Sequence, residues 1–324
     1  MTNPLLSLKV PIGFGFFKGS WGNSPIVEPG EARESFKRGL HAAMDAGVRL
    51  FDTADIYAPS WDTMGHNEMI LRDAVNEWQA PATVKEELII ATKGGITRSA
   101  GTAEGSRASG EVWSKDGSYD YLMRAVEKSA KNLGLSEIPL WQHHRLDFHL
   151  TLSEQIKNLR KLNENAPIRH IGVSNYSAEQ LRLALDVIGG PNDGGIISIQ
   201  NQLNPAYRND MEVLEVCEEH GLAFMPYSPS KGVTKPFEGS EIYARFDEVA
   251  KARSGSIFWI AQAWLRSLSP NIVPIPGVTR FESILDNLAG LEVRLSAAEL
   301  AKLENLPESM PVDEELVRDQ PLAE

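Results

Sequence analysis

The chain is 324 residues long, 42% hydrophobic and 23% charged, with a formal net charge of -12 at pH 7. These proportions suit a globular protein able to bury a full core, and the acidic balance excludes the basic face that a nucleic-acid partner needs. A single cysteine, Cys217, excludes an internal disulfide framework.

The opening MTNPLLSLKV has no basic segment followed by a long apolar run, and no stretch reaches the roughly 18 apolar residues of a membrane helix. The expected setting is the cytoplasm, without membrane or nucleic-acid partners, as a monomer or weak homo-oligomer. Short β-rich runs begin with PIGFGFF and continue as VRLFD, ELIIATK, IPLWQH, IRHIGV, IISIQ, LAFMPY and NIVPIP. Each is followed by a stretch with helical spacing. In order these are GEARESFKRGLHAAMDAG, NEMILRDAVNEW, YLMRAVEKSAKNL, SEQIKNLRKLNE, AEQLRLALDVI, MEVLEVCEEH, FWIAQAWLRSL and ESILDNLAG. Capping-box spacing at Thr151/Glu154, Ser177/Gln180, Thr279/Glu282 and Ser296/Glu299 predicts helix starts. Cys217 lies inside one of the helical patterns, which predicts a packed thiol. Eight strand–helix units imply parallel pairing and one (β/α)8 barrel domain over residues 1–324. Two segments break the rhythm: a long loop at 94–119 and a loose, acidic tail from Pro307, which could also lie against the barrel exterior.

In such barrels the reactive groups gather at the carboxyl ends of the strands. Those ends carry Asp52 and Tyr57 after the second strand, Lys93 at the third, and His143 and His144 at the fourth. Alone, a strand-end lysine would read as a surface ion pair; together these groups describe a proton-transfer site. A phenol with a pKa of about 10 is a poor acid at neutral pH, and a nearby cation lowers that value. Lys93 supplies the cation, and Asp52 holds Lys93 while compensating its burial. Tyr57 would then donate a proton to a carbonyl oxygen, or take one from an alcohol. Alternation along a strand sends His143 and His144 to opposite faces, so one of them enters the mouth.

The segments FDTADIYAPSWDTMGHNE, IIATKGG, LWQHHRLD, IGVSNYS, IQNQLNP, PYSP and IPGVTRFESILDN, in this order, resemble the aldo-keto reductase superfamily. The resemblance runs from about Pro11 to Leu306. It implies hydride transfer between NADPH or NADP+ and an aldehyde or ketone, with NAD as the lesser alternative, and a catalytic tetrad of Asp52, Tyr57, Lys93 and His144. His144 is preferred over His143 because His144-Arg145-Leu146-Asp147 matches the family register, with Leu where Pro is common. The resemblance places Gly15, Phe16 and Phe17 at the cofactor, and Ser174, Asn175 and Gln200 around the nicotinamide carboxamide. It stacks Tyr227 on the nicotinamide ring and runs Ser228, Pro229, Ser230 and Lys231 along the pyrophosphate, with Ser230 where the family usually has Leu. Gly277, Thr279, Arg280 and Ser283 are implied at the adenosine 2′-phosphate, where a helix start and a guanidinium fork suit an anion. Asp286 and Asn287 are implied near adenine.

Other patterns carry less. GFGFFKG has the spacing G-x-G-x-x-x-G with no helix opening at its last glycine, which disfavours a Rossmann domain. His143, His144, Asp147 and His149 suggest a metal, but PIGFGFF lacks the first-strand His pair of metal-dependent barrel hydrolases, so no metal is expected. A nicotinamide-binding, redox-sensing subunit with slow turnover is the non-enzyme alternative. Trp21, Trp61 and Trp113 fall in loops at the expected mouth, where they would wall an apolar or ring-shaped substrate or pack their own loops. The resemblance extends to members acting on sugars, pyridoxal or small aldehydes, without choosing among them.

Overall fold

A computed structural model describes residues 3–20, 24–101, 110–311 and 321. The strands are β1 (Gly13–Gly15), β2 (Leu50–Asp52), β3 (Ile89–Gly94), β4 (Ile96–Ala100), β5 (Glu111–Lys115), β6 (Leu140–His143), β7 (Ile171–Ser174), β8 (Ile196–Gln200) and β9 (Ala223–Phe224). Seven of them form one parallel sheet in the order β1-β2-β3-β6-β7-β8-β9. The predicted eighth strand, NIVPIP, closes it. The Val273 N–H donates to Phe224 O at 2.9 Å, while Gly13 and Gly15 N–H donate to Pro274 O and Pro276 O at 2.9 and 3.0 Å. Pro274 and Pro276 have no N–H to give β1, so at those two positions the closing ladder is made from carbonyls alone and is not a continuous strand.

Helices α1 (Glu31–Asp45), α2 (His66–Glu77), α3 (Ala82–Lys85), α4 (Tyr119–Leu133), α5 (Leu152–Asn165) and α6 (Ala178–Ile188) lie in the first two-thirds of the chain. They are followed by α7 (Met211–His220), α8 (Glu241–Ala252), α9 (Ile257–Leu268), α10 (Phe281–Ala289) and α11 (Ala297–Lys302). This is the predicted (β/α)8 barrel. Capping boxes form at Thr151, Ser177 and Ser296. The expected box at Thr279/Glu282 does not form. Arg280, in extended backbone, is the N-cap of α10, and the helix starts one residue later than the spacing suggested. Helix α8 was not singled out in the sequence, although Ser240 caps it and Ile242, Phe246, Val249 and Ala250 bury one face.

The residues between sheet and helices form the outer core, with Phe14, Phe51 and Ile90 on one side and Trp141, Ile171, Val173 and Phe224 on the other. Cys217 is fully buried there. Inside the barrel, Leu50, Ala91, Leu140, Ile197, Ala223, Met225, Val273 and Ile275 pack around Leu5, which plugs the amino-terminal end. Asn3 fixes that plug by donating to Ile197 O and Gly221 O at 2.8 and 2.9 Å. β1 lies so close to β2 that a Cβ on Gly13 would stand 2.6 Å from Leu50 Cγ, which explains glycine there.

The segment 94–119, expected as one loop, carries β4 and β5 paired antiparallel at its two ends. The first residues of the C-terminal tail are held against the loop after β8: Met310 N–H donates to Ala206 O, and Arg208 N–H to Ser309 Oγ, both at 2.9 Å. The rest of the expected loose tail, apart from residue 321, lies outside the described residues. Among the described residues, no helix is long and apolar enough to cross a membrane.

Candidate active site

On β2, β3 and β6 the barrel turns polar two residues beyond the apolar interior position: Leu50 gives way to Asp52, Ala91 to Lys93, and Leu140 to Gln142. The period-two alternation of each strand points these side chains into the barrel just below its carboxyl-terminal mouth. Lys93, fully buried, donates to Asp52 Oδ2 at 2.8 Å, to Thr53 O at 2.7 Å and to Tyr57 Oη at 3.4 Å. Gln200 donates its amide to the other Asp52 oxygen at 2.8 Å and to Gln142 Oε1 at 3.0 Å. The His144 ring stands edge-on to Tyr57, with centroids 5.9 Å apart. The neighbouring His143 turns to Tyr176, with Nδ1 2.8 Å from its hydroxyl.

Burial opposes the Lys93 ammonium, yet Asp52 and Tyr57 outweigh it and hold Lys93 above the ordinary lysine value. Burial raises the Asp52 carboxyl from its usual range, while Lys93 and Gln200 pull it back. The Tyr57 phenol is also raised, by burial first, with Lys93 lowering it and Asp52 raising it. The expectation of a lowered phenol is therefore reversed: Asp52 offsets much of the Lys93 charge, and desolvation decides the direction. Burial, then Lys93, Arg145 and His143, push His144 well below the ordinary imidazole value, so its ring is neutral at pH 7. Its Nδ1 has no hydrogen-bond partner among the described residues.

A chain of hydrogen-bonded polar side chains continues from this cluster. Ser174 Oγ donates to Gln200 O at 2.7 Å, and Asn175 Nδ2 donates to Ser174 Oγ at 2.9 Å and His144 O at 3.1 Å. Tyr227 Oη donates to Asn175 Oδ1 at 2.9 Å. Asn175 and Ser228 adopt left-handed backbone, with φ of 62° and 52°, a conformation L side chains seldom take. Pro229 is buried, with Ser230 and Lys231 half-buried beyond it. Across the mouth, Gly15 bridges Gly277, Phe16 is buried, and Phe17 is 42% exposed with its ring 5.1 Å from that of Tyr57. Arg280 is exposed, and Thr279 and Ser283 are half-buried at the start of α10. Asp286, Asn287 and Gln200, also expected at the cofactor, likewise have partners in the protein. Asp286 accepts from Trp259 Nε1 at 2.8 Å. Asn287 donates to Ser283 O at 2.6 Å and accepts from Gln262. Gln200 commits its amide nitrogen to the barrel interior as described.

The sequence pattern of the Aldo/keto reductase family matches residues 11–308. This chain belongs to that family. An uncharacterized oxidoreductase of Schizosaccharomyces pombe is 30% identical over 295 residues, 90% of this chain and 85% of that protein. The 6-dehydroglucose reductase of Novosphingobium aromaticivorans is 28% identical over 282 residues, 85% of this chain and 86% of that one. An aldo/keto reductase from Klebsiella pneumoniae, solved in complex with NADP and acetate, shares the fold with a TM-score of 0.68 at 23% identity, covering 94% of each chain.

Around the mouth of this aldo/keto reductase, Trp61 is 43% exposed, and Trp113 packs partly buried against Ala54, Ile56, Tyr57 and Ile96. Trp21 lies outside the described residues. Asp147 forms its own loop, accepting from Gly117 N–H at 2.9 Å and His149 N–H at 2.8 Å. Sequence reasoning missed Gln142, the Thr53 carbonyl, and the buried pair Arg98 and Glu111 on β4 and β5. Gln142 was visible as the polar member of an alternating strand. Arg98 and Glu111 sat in a segment without strand periodicity, and only their pairing distinguishes them.

Proposed function

We propose that this chain is an NADP(H)-dependent oxidoreductase that reduces an aldehyde or ketone to its alcohol, or runs the reverse, with Tyr57 as general acid. The continuous contact from Asp52 through Lys93 to Tyr57, with neutral His144 beside the phenol, carries this reading. Gly277 supports a dinucleotide at the mouth. That residue is exposed, and nothing lies within 4 Å of where its Cβ would stand, so the backbone can approach a ligand closely. Arg280 makes no ion pair among the described residues and offers its fork to a 2′-phosphate, favouring NADP(H) over NAD(H). Ser174, Asn175 and Tyr227 would hold the nicotinamide, which supplies the hydride when bound.

The chain's own groups handle the proton. Tyr57, kept protonated at neutral pH by burial, gives its proton to the carbonyl oxygen, and the phenolate left behind faces the Lys93 ammonium. Asp52 keeps that ammonium in place, and the neutral His144 ring can position the oxygen by a hydrogen bond. Phe17 and Trp113 make the rim aromatic and suit it to a neutral carbonyl compound.

Tyr57→Phe preserves the ring and removes the proton. In an NADPH-coupled screen of aldehydes, ketones and sugars it should lower kcat by roughly 10² to 10⁴. NADPH affinity, read by fluorescence titration, should persist. A Tyr57→Phe protein with near wild-type kcat refutes the mechanism.

A further inference from the structure

The β4–β5 hairpin reaches the backbone on either side of Tyr57. Arg98, buried on β4, donates from Nη1 to Ile56 O at 2.8 Å and Ala58 O at 2.9 Å. The carbonyl between them, that of Tyr57 itself, accepts from Asn67 N–H at 3.0 Å. Consecutive carbonyls across Tyr57 are thus all held, two of them by one guanidinium. The rest of that guanidinium is fixed in turn: Nε and Nη2 meet Glu111 Oε2 at 3.2 and 2.8 Å, and Nη2 also meets Oε1 at 3.0 Å. Glu111 Oε1 accepts from Trp61 N–H at 2.9 Å, tying the next turn of the Tyr57 loop to the same pair. Trp113, directly opposite Arg98 in the ladder, stacks on the guanidinium with its ring centroid 4.8 Å from Cζ.

We infer that Arg98, locked by Glu111, is a positioning residue that aims the Tyr57 hydroxyl from the hairpin. The inference rests on Tyr57 being the general acid. A planar fork suits this task, because it spans two carbonyls and a carboxylate at fixed angles, which an ammonium cannot do. Proton transfer is sensitive to small displacements of the donor, and a misplacement of about 1 Å can cost about 100-fold in rate. The Tyr57 loop has no regular secondary structure between β2 and the short turn at Trp61–Thr63, so a tether from outside sets its register.

The test compares Arg98→Met, Arg98→Lys, Tyr57→Phe and the double variant Tyr57→Phe/Arg98→Met, using 4-nitrobenzaldehyde and NADPH as probes. Arg98→Met should lower kcat by about 10- to 100-fold, with the NADPH dissociation constant within about twofold of wild type. Arg98→Lys keeps a cation opposite Glu111 and should fold even if Arg98→Met does not. Its kcat should lie between wild type and Arg98→Met, or at least about threefold below wild type if Arg98→Met is not recovered. In the Tyr57→Phe background, adding Arg98→Met should change kcat by less than about threefold, because the group it aims is gone. Wild-type kcat in Arg98→Lys or in folded Arg98→Met, or full additivity in the double variant, overturns the inference while leaving Tyr57 as the acid. Wild-type kcat in Tyr57→Phe alone removes the reading beneath it.

Discussion

Between the two histidines that follow one another at the end of β6, the structure divides the work by burial and direction. His144 faces Tyr57 across the mouth, whereas His143 sits behind the sheet with its ring against Tyr176. Burial holds His143 at a pKa of about 3, far below the ordinary imidazole value. An unfolded chain takes up that proton near pH 6.5, so folding stability from neutral His143 is complete above that value. It is lost as pH falls from about 6.5 toward about 3, by at most about 5 kcal/mol. His143→Gln retains an acceptor for Tyr176 and removes the titration. Its urea-unfolding free energy should fall less steeply than wild type between pH 6.5 and 4, and equal slopes would show that His143 is not the group responsible.

At the scale of elements, helix starts show how a correct local pattern can be shifted by its neighbours. Ser177 accepts from Gln180 N–H at 3.2 Å while Gln180 reaches back to Ser177 N–H at 2.8 Å, the reciprocal arrangement its spacing predicts. Thr279 has the same spacing to Glu282, but the backbone there is still engaged in barrel closure: Val278 N–H donates to Gly15 O at 3.1 Å. The chain stays extended through Arg280 as a result, and the cap moves one residue along. Ser177→Ala should cost about 1 kcal/mol of stability. Thr279→Ala should leave chemical denaturation unchanged while weakening NADPH binding if Thr279 meets the phosphate. A stability loss in Thr279→Ala matching that of Ser177→Ala would restore the capping reading.

For the molecule as a whole, closure depends on segments far apart in sequence. The last parallel segment bonds to β1, and Leu5 fills the base of the barrel beneath residues contributed by β2, β3, β6, β8, β9 and the closing segment. The interior is apolar at that end and polar at the other, so the plug stabilises the fold without entering the chemistry. Leu5→Ala should leave a cavity and cost about 2–4 kcal/mol in urea unfolding, with kcat unchanged. A cost under about 1 kcal/mol would show that the base collapses around the smaller side chain.

The barrel and the polar groups at its mouth were legible in the linear sequence because both follow from local rules. Alternating strand and helix patterns dictate parallel pairing, and period-two alternation brings Asp52 and Lys93 to the same interior face, two residues above Leu50 and Ala91. Tertiary structure decided what depends on distances between separate segments. The direction of the Tyr57 pKa follows from how far Asp52 offsets Lys93 inside a desolvated barrel, a balance no spacing encodes. The pairing of β4 with β5 and the Arg98–Glu111 pair were equally hidden, since these strands are short and half-exposed and lack a clear period. Sequence determines which groups each strand end presents; only the folded backbone determines which of them touch, because desolvation and hydrogen-bond direction arise from that contact.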